Sequence, residues 1–135
     1  MKSLSGTESG YPMLHPDHKV FDAHFHIVDP RFPLVPNNGY LPDAFTCDSY
    51  LKRINGYNLV GGAVVSGSFQ GFDQSYLLDA LETLGPSFCG VTQIPADTPD
   101  DTIIRLNAGG VRAVRFNLKQ SIFMPTVKVV CYESH

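Results

Sequence analysis

The chain has 135 residues, of which 43% are hydrophobic and 17% are charged, so it can bury the core of one domain and is not a disordered polypeptide. Its formal net charge of −3 comes without a run of lysines and arginines, which argues against nucleic acid and membrane surfaces as partners. Three widely spaced cysteines fit neither a disulfide framework nor a Cys-x-x-Cys metal site, and no segment resembles a signal peptide or a membrane span. We therefore expect a cytoplasmic protein.

The first strand is predicted at residues 20–28, after a flexible leader at residues 1–19. Side chains alternate between the two faces of a strand, so this segment should have one polar and one apolar face. The polar face would carry Asp22, His24 and His26. The apolar face would carry Phe21, Ala23, Phe25 and Ile27. Two histidines spaced in this way can bind one metal ion, but the same pattern also fits the solvated face of an antiparallel strand.

The rest of the chain alternates helices with short apolar strands. A proline-rich loop at residues 29–42 comes first, and its apolar side chains are typical of a loop that covers a site. Helices are predicted to begin at Thr46 or Asp48, at Asp73 and at Thr98, and to end near Gly56, Gly85 and Gly109. Strands are predicted at 59–65, 88–94 and 111–118. Four strands alternating with three helices imply right-handed crossovers, a parallel sheet and a site at the carboxyl ends of the strands.

Several segments together resemble the amidohydrolase-related TIM-barrel hydrolases of the amidohydrolase 2 type. They are residues 21–26, the loop at 31–33, the helix start at 71–81 and residues 110–117. The closest resemblance is to the branch that contains 2-pyrone-4,6-dicarboxylate lactonase. It implies an α/β fold in which residues 20–120 form the amino-terminal half of a (β/α)8 barrel, with about four parallel strands. Residues 121–135 do not resemble the family and form a tail.

The resemblance also implies a site. His24 and His26 match a histidine pair that binds a divalent metal, commonly zinc, in most amidohydrolases, whereas the lactonase branch uses such histidines without a metal. Arg115 matches an arginine that ends strand four and would orient a substrate carboxylate. Tyr40 lies where similar proteins place a substrate-contacting tyrosine, and Asn117 is a further candidate for substrate binding.

Three further positions bear on that site. Ser66 and Ser68 are candidates for the mouth of the barrel, although structural roles are favoured for both. Ser121 stands where the lactonase-like members have a second basic residue, which argues against a dicarboxylate substrate.

The expected activity is hydrolysis of a lactone or related carbonyl substrate that bears a carboxylate. Two alternatives stay open: a metal-dependent decarboxylase of the same superfamily, and a non-catalytic half-barrel that associates with itself. Two histidines alone would hold zinc weakly, so the fragment is expected to be inactive unless its site is completed. A homodimer could close the half-barrel, and residues 126–132, which alternate like a strand, could cover an open sheet edge.

Overall fold

A computed structural model describes residues 15–116 and, for the backbone alone, residues 128–131. The described strands form one sheet in the order β1-β2-β3-β4-β5. Their bounds are Lys19–Phe25 for β1, Asn58–Val65 for β2, Phe88–Thr92 for β3, Val111–Phe116 for β4 and Lys128–Cys131 for β5. The α-helices in the same residues are α1 (Cys47–Arg53), α2 (Ser75–Leu84) and α3 (Asp100–Ala108).

The first four strands are parallel, and α1, α2 and α3 connect them in turn. The predicted α/β class with four parallel strands is therefore confirmed. β5 pairs with β4 in the antiparallel sense, with Lys128 opposite Phe116. β5 thus covers the edge of β4. The alternating pattern of residues 126–132 predicts a strand that could cover an open edge of the sheet. Because β5 uses this edge, only β1 ends the described sheet with an uncovered parallel strand.

The helix starts follow the predicted capping signal at α1 but not at α2 or α3. At α3, Pro99 occupies the N-cap position and the Thr98 hydroxyl instead donates to the Pro95 carbonyl (2.5 Å). The hydroxyl of Thr46 accepts a hydrogen bond from the Ser49 amide (3.3 Å) and caps α1 as predicted. The prediction that Asp73 caps α2 is wrong, because Gln74 occupies that position and Asp73 instead accepts a bond from the Ser75 hydroxyl (2.6 Å). None of the helices in the described part of the chain has the length and apolar character needed to cross a membrane.

The core has two layers, one on each face of the sheet. The larger layer packs the sheet against the helices and contains Phe25, Ile27, Tyr50, Val64, Tyr76, Leu77, Ala80, Leu81, Leu106 and Val111. The smaller layer lies on the opposite face, which we call the inner face, and contains Ala63, Val65, Val91 and Ala113. The small size of the inner side chains suits the concave face of a curved parallel sheet.

The alternation predicted for β1 is wrong, because the strand contains a β-bulge. Asp22 lies opposite Gly62 and Phe25 lies opposite Val64, so β1 uses one more residue than β2 over this stretch. A Cβ atom built on Gly61 would meet the Phe21 ring, and one built on Gly62 would meet the Phe25 ring. Neighbouring residues of a strand point to opposite faces, so these two phenylalanines are on opposite faces.

The bulge also separates Asp22 from the two histidines. The Asp22 carboxylate accepts a hydrogen bond from the Tyr50 hydroxyl (3.0 Å), which places it on the helix side. His24 lies within the bulge and His26 follows it; the His26 ring contacts the end of β2 on the inner face, and the His24 ring meets it at 5.0 Å. The extra residue inverts the alternation, and therefore Asp22 does not share a face with the histidines as regular alternation predicted.

Candidate active site

The histidine pair lies at the carboxyl end of β1. The ring centres of His24 and His26 are 5.0 Å apart and the rings meet edge to face. The Nδ1 atom of His26 is 2.7 Å from the backbone oxygen of Val65, at the end of β2. Because a carbonyl oxygen can only accept, Nδ1 carries a proton, which leaves Nε2 as the nitrogen that can bind a metal.

Arg115 reaches the same end of the sheet from β4. Its Nη1 atom donates to the backbone oxygen of Ser66 at 2.6 Å, one residue beyond the carbonyl that holds His26. Burial lowers the pKa of His24, and the nearby His26 and Arg115 lower it further. The His24 imidazole is therefore neutral at pH 7, as a metal ligand or a general base must be.

The geometry of the pair suits one shared metal ion. With zinc–nitrogen bonds of about 2.0 Å and a tetrahedral angle, two imidazoles have ring centres about 5 Å apart, close to the separation observed here. Within residues 15–116 and the strand at 128–131, no group of three or more His, Cys, Asp or Glu side chains could hold a metal ion. His24 and His26 thus fit a metal as two of the three protein ligands that catalytic zinc has.

Of the other two predicted binding residues, Tyr40 is not brought to the histidine pair. Tyr40 ends a tight turn in which Asn37 and Tyr40 exchange backbone hydrogen bonds (2.9 and 3.0 Å), and Gly39 has the positive φ that such a turn needs. The side chain of Tyr40 is 67% exposed, and no hydrogen bond or ring contact joins it to His24, His26 or Arg115 in the described residues. Asn117 and Ser121 lie outside the described residues.

Three glutamines that the sequence analysis did not single out tie the carboxyl ends of β1, β2 and β3 together. The amide of Gln70, which is buried, donates to the Ile27 carbonyl (2.7 Å) and accepts from the Gly67 amide (2.9 Å). Gln74 donates to the Gln93 carbonyl at 2.9 Å, and the Gln93 side chain extends to the Gly67 carbonyl at 3.5 Å. No sequence pattern marked these residues, because their partners are backbone groups distant in the chain.

The long loop after β1 is held by an ion pair that sequence reasoning also missed. Arg31 binds the buried carboxylate of Asp29 (2.7 Å) and also reaches Asp79 on α2 (3.0 Å). The hydrogen bonds from Arg31 hold the pKa of Asp29 below its usual value. Ser68 pins the same loop, because its hydroxyl accepts a bond from the Asn37 amide (3.0 Å), and Ser68 is thus structural.

Together these features define a partial (β/α) barrel with a histidine pair and an arginine at the carboxyl ends of its strands. No protein-family model matches the chain. The 2-pyrone-4,6-dicarboxylate hydrolase of Comamonas testosteroni is 32% identical over 99 residues, which are 71% of this chain and 32% of that protein. The 4-sulfomuconolactone hydrolase of Hydrogenophaga intermedia is 26% identical over 98 residues, again 71% of this chain and 32% of its own length.

Solved structures give the same relationship. A provisionally assigned 2-pyrone-4,6-dicarboxylic acid hydrolase from Acinetobacter baumannii, crystallised with citric acid bound, matches with a TM-score of 0.66 and 25% identity over 73% of this chain and 37% of its own. A provisionally assigned 2-pyrone-4,6-dicarboxylic acid hydrolase from Pseudomonas putida matches with a TM-score of 0.60 and 31% identity over 78% of this chain and 38% of its own.

The predicted resemblance to the lactonase-like hydrolases is confirmed, over about 70% of this chain. The matched segment spans about a third of the length of the curated relatives.

Proposed function

We propose that this chain carries part of a hydrolase site for a lactone, or a related carbonyl substrate, that bears a carboxylate. One observation carries the proposal: an imidazole pair and a guanidinium lie at the carboxyl ends of β1 and β4, where the successive carbonyls of Val65 and Ser66, at the end of β2, hold His26 and Arg115. The relatives named as hydrolases of 2-pyrone-4,6-dicarboxylate and 4-sulfomuconolactone act on rings that carry anionic groups. The citric acid in the Acinetobacter structure is likewise a carboxylate ligand.

Arg115 supplies recognition in this proposal. A guanidinium matches a carboxylate with two parallel hydrogen bonds, which fixes the orientation of the substrate as well as its charge. The bond from Arg115 to the Ser66 carbonyl leaves little freedom in the long side chain. A substrate carboxylate at Arg115 therefore brings the rest of the molecule to a fixed position relative to the histidines.

The histidine pair supplies the chemistry. A divalent metal bound there, for which zinc is our proposal, would polarise the substrate carbonyl and lower the pKa of a bound water. Without a metal, the neutral His24 could instead accept the proton of the attacking water, whose oxygen forms a bond to the carbonyl carbon. The ring C–O bond then breaks, and the departing oxygen takes up a proton to give the open hydroxy acid.

A second copy of the chain is also proposed as a partner, because two histidines do not make a complete site. The covered edge of β4 limits how the copies can meet, since β5 already pairs there. A closing homodimer would have to use the edge of β1 or the outer edge of β5, or displace β5. Its formation would be visible as a concentration-dependent mass in size-exclusion chromatography with light scattering.

The test uses the full chain with zinc and three ring substrates: 2-pyrone-4,6-dicarboxylate, its dimethyl ester and unsubstituted 2-pyrone. Ring opening is followed by ultraviolet absorbance, and binding by calorimetry. We expect the free acid to bind more tightly than the ester and to be the better substrate. Replacing both histidines with alanine should abolish zinc binding and turnover, and Arg115→Gln should remove the preference for the acid.

The matched control is Arg112→Gln. Arg112 lies on the same strand as Arg115, but near the amino end of that strand, where its guanidinium donates hydrogen bonds to Asn107. This variant should keep the preference for the acid. Equal binding of acid and ester by the wild-type chain would contradict the proposal. Release of carbon dioxide instead of ring opening would favour the decarboxylase alternative.

A further inference from the structure

The ring of Phe69 lies against His26 in the candidate active site. Phe69 is half-buried in a single 3-10 turn, Ser68–Gln70, which follows β2. The ring centres of Phe69 and His26 are 5.9 Å apart and the ring planes meet at 80°. This is the edge-to-face arrangement that aromatic rings prefer. Phe69 is thus a direct neighbour of one of the two histidines.

The His26 ring has two other contacts at the site. Its Nδ1 atom is bonded to the Val65 carbonyl (2.7 Å), and its ring meets that of His24 at 87°. An imidazole that is held by one hydrogen bond can still tilt about that bond. A neighbouring aromatic ring limits such a tilt, because the side chains pack against each other. Phe69 therefore restricts the orientation of His26 in addition to the hydrogen bond.

The Phe69 ring occupies space that only a glycine at position 67 leaves open. A Cβ atom built on Gly67 would overlap the Cδ1, Cε1 and Cζ atoms of the Phe69 ring. The backbone of Gly67, with φ −98° and ψ 167°, is extended and open to any residue. Glycine is thus needed at this position for the ring of Phe69 and not for the backbone conformation.

Hydrogen bonds hold the turn that carries Phe69. The Gly67 amide donates to the side-chain oxygen of Gln70 (2.9 Å), and the Gln70 amide donates to the Gly67 carbonyl (3.1 Å). The Phe69 carbonyl accepts from the amide of Val35, in the long loop after β1 (2.6 Å). The backbone on both sides of the Phe69 ring is therefore fixed.

We propose that Phe69 is a positioning residue for His26, and that Gly67 provides the space that the Phe69 ring needs. The contact keeps Nδ1 of His26 on the Val65 carbonyl, so that Nε2 stays available for a metal. Groups that orient a metal ligand in this way tune the affinity of the site. The inference rests on the proposed function in taking His26 as a metal ligand, and it deepens that function by naming a residue that acts through the ligand.

The first measurement needs no ligand. NMR of the imidazole nitrogens gives the ratio of the Nε2–H form of His26 to the Nδ1–H form. Phe69→Ala should raise this ratio about twofold to tenfold, which is the range that the loss of one aromatic contact allows. Phe69→Leu, which keeps an apolar side chain in the turn, should raise it in the same direction if the alanine variant does not fold.

Phe72→Ala is the matched control. Phe72 lies three residues further along the same loop and is 59% exposed, and no ring contact joins it to His26 in the part of the chain that the structure describes. This variant should leave the ratio unchanged. Loss of shielding from solvent would not by itself shift the proton between the two nitrogens, so the ratio reports the orientation of the ring.

A double variant tests the role of Gly67. Gly67→Ala should displace the Phe69 ring and raise the same ratio, whereas adding Gly67→Ala to Phe69→Ala should have no further effect, because no ring is left to displace. Zinc affinity, measured by calorimetry with zinc alone, should fall about twofold to tenfold in each single variant and no further in the double variant.

The proposal is overturned if Phe69→Ala and Phe69→Leu leave the ratio unchanged, or if Gly67→Ala has the same effect with and without the Phe69 ring. If the wild-type chain binds no zinc, the proposed metal site fails, and the NMR ratios still decide whether Phe69 positions His26.

Discussion

Replacing Phe25 with alanine tests the bulge that turns the histidines inward. Phe25 is 9% exposed, stacks on Tyr50 with ring centres 3.8 Å apart, and meets the edge of Phe88 at 6.1 Å. Truncating a buried phenylalanine to alanine costs about 3–5 kcal/mol, and the aromatic contacts are included in that loss. We expect Phe25→Ala to reduce the free energy of unfolding by this amount.

Phe21→Ala is the matched comparison, because regular alternation would place Phe21 on the same buried face. In the structure Phe21 lies on the opposite face and is 53% exposed. Half burial of a phenylalanine contributes about 1 kcal/mol, so the two variants should differ by about 2–4 kcal/mol. Urea denaturation followed by circular dichroism measures both values. Equal losses in the two variants would refute the bulge and with it the placement of the histidines.

Three other predictions address the network around the site. Gln70→Met should cost about 2–4 kcal/mol in urea denaturation, because two buried backbone groups lose their partners, while the exposed Ser68→Ala should cost about 0.5 kcal/mol or less. NMR of the imidazole nitrogens should show the Nδ1–H form of His26 and a zinc-dependent shift at Nε2, and an Nε2–H form would contradict the hydrogen bond to β2. The Arg31 contacts lower the pKa of Asp29, so the ion pair should contribute fully to stability above pH 3.8, the ordinary pKa of the carboxyl group, and this contribution should be lost as the pH falls below that value. In Asp29→Asn, the free energy of unfolding should depend less on pH in this acidic range.

The strand and helix order was accessible from the sequence because its signals are local. The apolar run at residues 59–65 predicts β2, which spans Asn58–Val65 in the structure. Gly85 and Pro86 mark the end of α2, and the acidic residues at the start of α3 mark its beginning. Each of these signals acts within a few residues, and so needs no knowledge of what the element packs against.

The face on which Asp22 lies could not be predicted in the same way. Whether β1 carries an extra residue between Asp22 and Phe25 is decided by its pairing with β2, whose glycines allow Phe25 to approach closely. The pattern of residues 20–28 is compatible with either arrangement. In the structure His24 and His26 nevertheless meet edge to face, although Asp22 lies on the other side of the sheet.

The partners of the predicted site residues were also hidden, because they are backbone carbonyls. Successive carbonyls of a strand point toward opposite neighbours, so Val65 faces β1 and holds His26, whereas Ser66 faces the other way and is reached by Arg115. Side-chain substitutions at Val65 would leave its carbonyl in place, and so the geometry of the site depends on the register of β2 more than on the identity of that residue. A change that shifts this register would therefore displace the histidine and the arginine together, whereas a change in either side chain alone would affect only the chemistry or only the recognition.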